Sequence, residues 1–98
     1  MLASKQKRFL QKKAHHIKPI LQVGKAGVNP ELIHQIGEAL EARELIKVSV
    51  LQNCAEDKHE AAERIAEGAN AHVVQVIGST MILYKESNEN KSIELPSL

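Results

Sequence analysis

The 98-residue sequence predicts an α+β domain of element order αβαβαββ, with a mixed four-stranded sheet and three helices. Three observations predict it. Apolar residues recur at helical spacing in three separate stretches, and Leu45–Leu51 alternates as a strand. The segments His72–Ile77 and Met81–Tyr84 flank Gly78-Ser79-Thr80 and read as an antiparallel hairpin. Strand–helix–strand units call for parallel neighbours whereas a hairpin is antiparallel, so the sheet has to be mixed. The length allows one domain, expected over residues 1–86, followed by a polar tail at 87–98 that contains Pro96 and is expected to be flexible.

Residues 4–16 read as the first helix, with Ser4 as its expected N-cap. Ala3, Leu10, Ala14 and Ile17 share one side, and Lys5, Arg8, Lys12 and His15 recur on the opposite side. Pro19 ends the helix, because the residue before a proline is pushed out of the α region. Ile20–Val23 is a short strand and Gly24–Val28 a loop. Asn29, Pro30 and Glu31 then supply a cap, a first-turn proline and a first-turn acid, opening a helix that runs to about Arg43. In the next strand Ile46, Val48 and Val50 face one way and Lys47 and Ser49 the other. Asp57–Glu67 is the third helix, with Ala61, Ala62, Ile65, Ala66 and Ala69 inward and Gly68 or Asn70 available to end it.

Composition narrows the function classes. Apolar residues make up 43% of the chain but aromatics only 2%, Phe9 and Tyr84, so the core is built from aliphatic side chains. Modules that stack successive bases on aromatic platforms need more rings than this. The single Cys54 builds neither an internal disulfide nor a structural zinc site. His15 and His16 are adjacent and diverge by about 100° on a helix. His34, His59 and Cys54 show no ligand spacing, and no Ser/His/Asp set or carboxylate pair is readable. No catalytic residue, metal or cofactor is therefore expected, and the protein does not read as an enzyme. No apolar run approaches the ~20 residues of a membrane span. The basic N-terminus lacks the apolar stretch of a secretory signal, so a cytoplasmic location is expected.

The net charge of +1 conceals a strong segregation. Residues 1–30 hold seven Lys and Arg and no acid, whereas residues 31–98 hold six basic and all twelve acidic residues. A partner made of phosphates would sense the resulting field. Gly24-Lys25-Ala26-Gly27 lies between a strand and a helix start, where glycines let a backbone approach a ligand closely. The next helix is expected to present unpaired N–H groups and a positive dipole end, and Lys25 adds a mobile cation. No GxxxxGK[ST] motif is present, so nucleotide hydrolysis gains no support. A sugar-phosphate backbone fits these features.

Lys5-Gln6-Lys7-Arg8, Ala14-His15-His16-Ile17-Lys18-Pro19 and Gln22-Val23-Gly24-Lys25-Ala26-Gly27 together resemble the CRM domain in its stand-alone bacterial, YhbY-like form. Glu44-Leu45-Ile46-Lys47-Val48, Val76-Ile77-Gly78 and Leu83-Tyr84-Lys85 extend the likeness, which covers roughly residues 2–86. The resemblance implies a fold similar to the C-terminal domain of translation initiation factor 3. It also implies association with precursors of the large ribosomal subunit and a role in their maturation. RNA contact is then expected at Gly24, Lys25, Ala26 and Gly27 and at the adjoining basic positions Lys5, Lys7, Arg8, Lys12, Lys13, His15, His16 and Lys18. Lys47 joins them if its sheet face is open. Ser79 stands where many members carry a basic residue, which weakens the case for contact at the hairpin turn. Structured RNA, in particular precursor large-subunit rRNA, is the expected partner, with ribosomal proteins as further candidates. Two alternatives stay open at this level: an adaptor using the acidic helix faces, and a DNA-binding protein of similar fold, since phosphate contacts alone do not separate the two nucleic acids.

Overall fold

Seven elements follow one another in the predicted order in the computed structural model, which describes residues 2–97. They are α1 (Ser4–Ala14), β1 (Pro19–Val23), α2 (Pro30–Arg43), β2 (Leu45–Val50), α3 (Lys58–Ala69), β3 (His72–Ile77) and β4 (Thr80–Tyr84). The sheet order is β1-β2-β4-β3. Helix α2 returns β2 parallel to β1, while β4 is antiparallel to both β2 and β3. The α3 crossover thus skips one position, and the hairpin returns β4 into the gap.

The helices lie on both faces of the sheet. Ile36 and Leu40 of α2 and Ile65 of α3 bury against Val48, Met81 and Leu83. Leu10 and Ala14 of α1 pack on the opposite face, against Leu45, Ile82 and Tyr84. Eleven residues of helix reach only about 16 Å, and α1 covers only part of its face. Lys47, Ser49, Gln75 and Thr80 stay half-buried and Ile77 exposed beyond it.

The helix ends follow local chemistry. Asn29 Oδ1 accepts the Leu32 N–H at 2.9 Å, and Pro30 occupies the first turn, as the sequence predicts. Asp57 caps α3 by accepting from His59 and Glu60. Asn70, at φ 54°, is the left-handed residue that ends it. Ser4 is not the cap of α1. Ala3 holds that position, and its N–H donates to the Gln6 side chain at 3.1 Å, so the donor is satisfied from within the first turn. The hairpin turn is also shorter than expected: Thr80 pairs with Ile77 and belongs to β4.

The tail has no regular structure, yet it packs against the domain at several points. Glu44 at the end of α2 is fully buried, and its carboxylate accepts the N–H groups of Ser87, Ser92 and Ile93 at 2.7–2.8 Å. Burial pushes this carboxyl up, but the converging donors outweigh burial and hold it below its ordinary value. Glu41 accepts from the Ser87 hydroxyl and from the N–H groups of Asn88 and Glu89. Ile93 enters the α1-side core beside Leu2, and Gln6 donates to the Pro96 carbonyl. Polar side chains made this segment look solvated, whereas its backbone donors ring two carboxylates. Leu98, the last residue of the predicted tail, lies outside the described residues.

Candidate nucleic-acid interface

Strand β1 carries the chain from buried Val23 into Gly24, and the Gly27 N–H closes a turn on the Gly24 carbonyl at 3.0 Å. The Lys25 carbonyl accepts from Ala55 at 3.3 Å, tying the loop to the β2–α3 connection. Lys25 and Ala26 are exposed at the tip. The two glycines differ. Gly27 has φ 85°, and a Cβ there would lie 2.6 Å from Glu56 Oε1. At Gly24 a Cβ would meet nothing within 4 Å. Gly27 is therefore required by the fold, while Gly24 leaves backbone open to an incoming group.

Glu56 also changes the helix start. Its carboxylate accepts the Val28 N–H at 2.7 Å and pairs with Arg64, contacts that hold its carboxyl below the ordinary value. Leu32 and Ile33 donate to Asn29. The expected set of unpaired donors at this end of α2 is smaller, because Pro30 carries no N–H and the Asn29 side chain has taken that of Leu32, while Glu56 holds the residue just before the cap. A shallow groove of about 310 Å³ runs between the loop and the first turns of α2, bordered by Gln22, Asn29, Glu31 and Gln35.

Lys47 does lie on an open part of the sheet. It shares a hollow of about 220 Å³ with His15, Gln75 and Thr80. Ser49, on the same strand face, pairs with Gln22, which also borders the loop groove. A strip of uncovered sheet thus joins the C-terminal end of α1 to the Gly24–Gly27 loop.

The other basic positions spread along α1 and the turn that follows it. Arg8, Lys12, Lys13, His16 and Lys18 are exposed and Lys7 is half-buried, with Lys13 Nζ 5.4 Å from the Phe9 ring centroid. Lys5 Nζ donates to the Ser97 carbonyl at 3.0 Å, at the helix end far from the loop. None of the α1 cations borders the loop groove. The predicted set is therefore an elongated track rather than one pocket, with His15 and Lys47 as its joint.

The acids divide as well. Glu38, Glu60, Glu63 and Glu67 are exposed on α2 and α3, across the sheet from α1, and Glu38 pairs with His34. Glu41, Glu44 and Glu56 are engaged internally, roles that the sequence reading missed because their partners are backbone N–H groups from remote segments. Among the described residues no three His, Cys, Asp or Glu side chains are placed to hold a metal ion. Among the described residues no helix is long and apolar enough to cross a membrane.

The chain was compared with known proteins. The model of the CRS1 / YhbY (CRM) domain matches residues 2–85. "Probable RNA-binding protein YqeI" of Bacillus subtilis is 67% identical over 96 residues, spanning 98% of this chain and all of that one. An "RNA-binding protein" of Haemophilus influenzae is 39% identical over 95 residues, 97% of this chain and 95% of its own. The solution structure of a Staphylococcus aureus protein superposes with a TM-score of 0.83 at 56% identity, covering 98% of this chain and 100% of the other. With a family match across nearly its whole length and relatives of this identity, the chain belongs to the CRS1 / YhbY (CRM) domain family.

Proposed function

We propose that this protein binds structured RNA by its sugar-phosphate backbone, acts in the cytoplasm, and associates with precursors of the large ribosomal subunit. The observation that carries the RNA reading is the Gly24–Gly27 loop: an open glycine where the fold needs no glycine, beside an exposed Lys25 at a helix start. Its relatives are named as RNA-binding proteins, which supports RNA over DNA. The ribosomal assignment rests on the resemblance of the sequence motifs to the YhbY-like form of the family.

Arg8, Lys12 and Lys13 on α1, with Lys18 just beyond it, supply long-range attraction and counterion release. Gly24 allows close approach of the strand, and Lys25 meets a phosphate. Glu38, Glu60, Glu63 and Glu67 lie across the sheet from α1 and repel the same polyanion, so the field orients the encounter, and Glu31 is the one acid that borders the loop groove. The adaptor reading is weakened, because Glu41 is engaged by the tail.

Sedimentation of cell extract through a sucrose gradient at low salt tests the assignment. Comigration with free large subunits or their precursors, lost at raised salt or in Lys25→Ala, is the expected result. Confinement to the top fractions would remove the ribosomal assignment. Competition between RNA and DNA duplexes of equal length tests the RNA preference separately.

A further inference from the structure

The hollow between the end of α1 and the open part of the sheet is unlike the rest of the basic track. Its polar rim is formed by His15, Lys47, Gln75 and Thr80, and its apolar walls by Pro19, Ile77 and Ile82. Its volume is about 220 Å³, and no carboxylate lines it. Ile77 is 54% exposed, an apolar side chain left uncovered on an otherwise polar strip.

We infer that this hollow takes a single unpaired RNA base, splayed from the strand whose backbone runs over the Gly24–Gly27 loop. The inference rests on the RNA reading above and extends it from backbone contact to base contact. Three features support this occupant. A base needs apolar surface for its faces and donors and acceptors for its edge, and the hollow offers both. The Gln75 amide and the Thr80 hydroxyl each donate and accept, while Lys47 donates only, so they can meet a base edge without leaving a buried acid unpaired. The His15 imidazole is the one ring on the rim and supplies the stacking plane that the scarcity of Phe, Tyr and Trp otherwise denies this chain.

Position supplies the second argument. Lys47 and Ser49 lie on the same face of β2, and Ser49 pairs with Gln22 at the border of the loop groove. A strand held at Gly24 and Lys25 therefore continues over the strip toward the hollow. The cationic rim suits the phosphates that flank an extruded base. A fully paired helix keeps its bases stacked and presents no such group.

The test uses the full chain and two RNA hairpins of the same stem sequence. One is fully paired, and the other has a short bulge that carries a fluorescent purine analogue. Wild-type protein should bind the bulged hairpin at least about fivefold tighter, the range of one stacked base, and shift the analogue's fluorescence saturably. The double variant Gln75→Ala, Thr80→Val should lose both the preference and the fluorescence change. Its affinity for the paired hairpin and its melting temperature should stay at wild-type values. Equal binding of the two hairpins by wild type, or equal weakening of both in the double variant, overturns the base site and leaves the backbone reading standing. Binding of neither hairpin overturns both.

Discussion

Gly27 faces the Glu56 carboxylate so closely that a Cβ at this position would lie 2.6 Å from Oε1. Glu56 is not free to swing away, since it accepts the Val28 N–H at 2.7 Å and is paired with Arg64. This contact splits a motif that looks symmetric in sequence. One glycine closes the loop onto the β2–α3 connection, and the other leaves an opening toward solvent.

Alanine substitutions should separate the two. Gly27→Ala forces a non-glycine residue to φ 85° and displaces Glu56, so it should destabilise the fold by at least about 1–3 kcal/mol. Gly24→Ala meets nothing within 4 Å and should leave stability within about 0.5 kcal/mol of wild type. Its RNA affinity should nevertheless fall, because the added methyl sits where the strand approaches. Urea melts and filter binding read the two effects. Equal destabilisation by both variants would show that Gly24 also serves the fold.

Glu44 should be the most sensitive carboxylate in the chain. Glu44→Ala strips a buried acceptor from three backbone N–H groups, at a cost of about 3 kcal/mol or more. The loss should reach beyond the side chain. Amides of residues 87–93 should exchange with solvent faster than those of β2, which hydrogen exchange can resolve. A variant that melts like wild type with a protected tail would contradict the anchoring role.

The same carboxylates give stability a pH dependence. Donors from the tail hold Glu41 and Glu44 below their ordinary value of 4.5, and the Val28 N–H and Arg64 do the same for Glu56. Because each folded-state value is depressed, the unfolded chain takes up protons first as pH falls. The stabilisation is complete above about pH 4.5 and is lost as pH falls through the folded-state values. The urea midpoint should therefore drop below that pH, and Glu44→Gln should flatten the drop. A midpoint that stays constant down to about pH 3 would argue against these contacts.

Much of the fold was legible because its signals are local. Asn29-Pro30-Glu31 marks a helix start by capping chemistry, Asn70 ends a helix by accepting a positive φ, and β2 alternates every second residue. The insertion of β4 between β2 and β3 was not legible, since the order of strands depends on pairing across the chain. Nor was the placement of α1 alone on its face, which decides whether Lys47 is reachable. The attachment of the tail was not legible for a related reason. Its side chains are polar, but its attachment uses backbone N–H groups that every residue except proline carries. Site residues followed the same division: Lys25 is exposed at its loop tip as the spacing implied, whereas Lys5 is held near the tail end by the Ser97 carbonyl.

That last contrast yields a quantitative test on the cations. If Lys25, Lys12 and Lys47 each neutralise a phosphate, alanine at any one should reduce the slope of log affinity against log salt by about 0.7–0.9. Lys47 is the informative member, because it contributes only if RNA crosses the open strip of sheet beyond α1. Lys5→Ala should change the slope least, since that ammonium lies at the far end of α1 and is hydrogen-bonded to the tail. Affinities measured from about 50 to 200 mM salt give the slopes. Equal effects at Lys5 and Lys47 would mean that RNA senses only the summed charge of the N-terminal region. A large effect at Lys47 with none at Lys5 would place the strand along the path from the Gly24–Gly27 loop to His15.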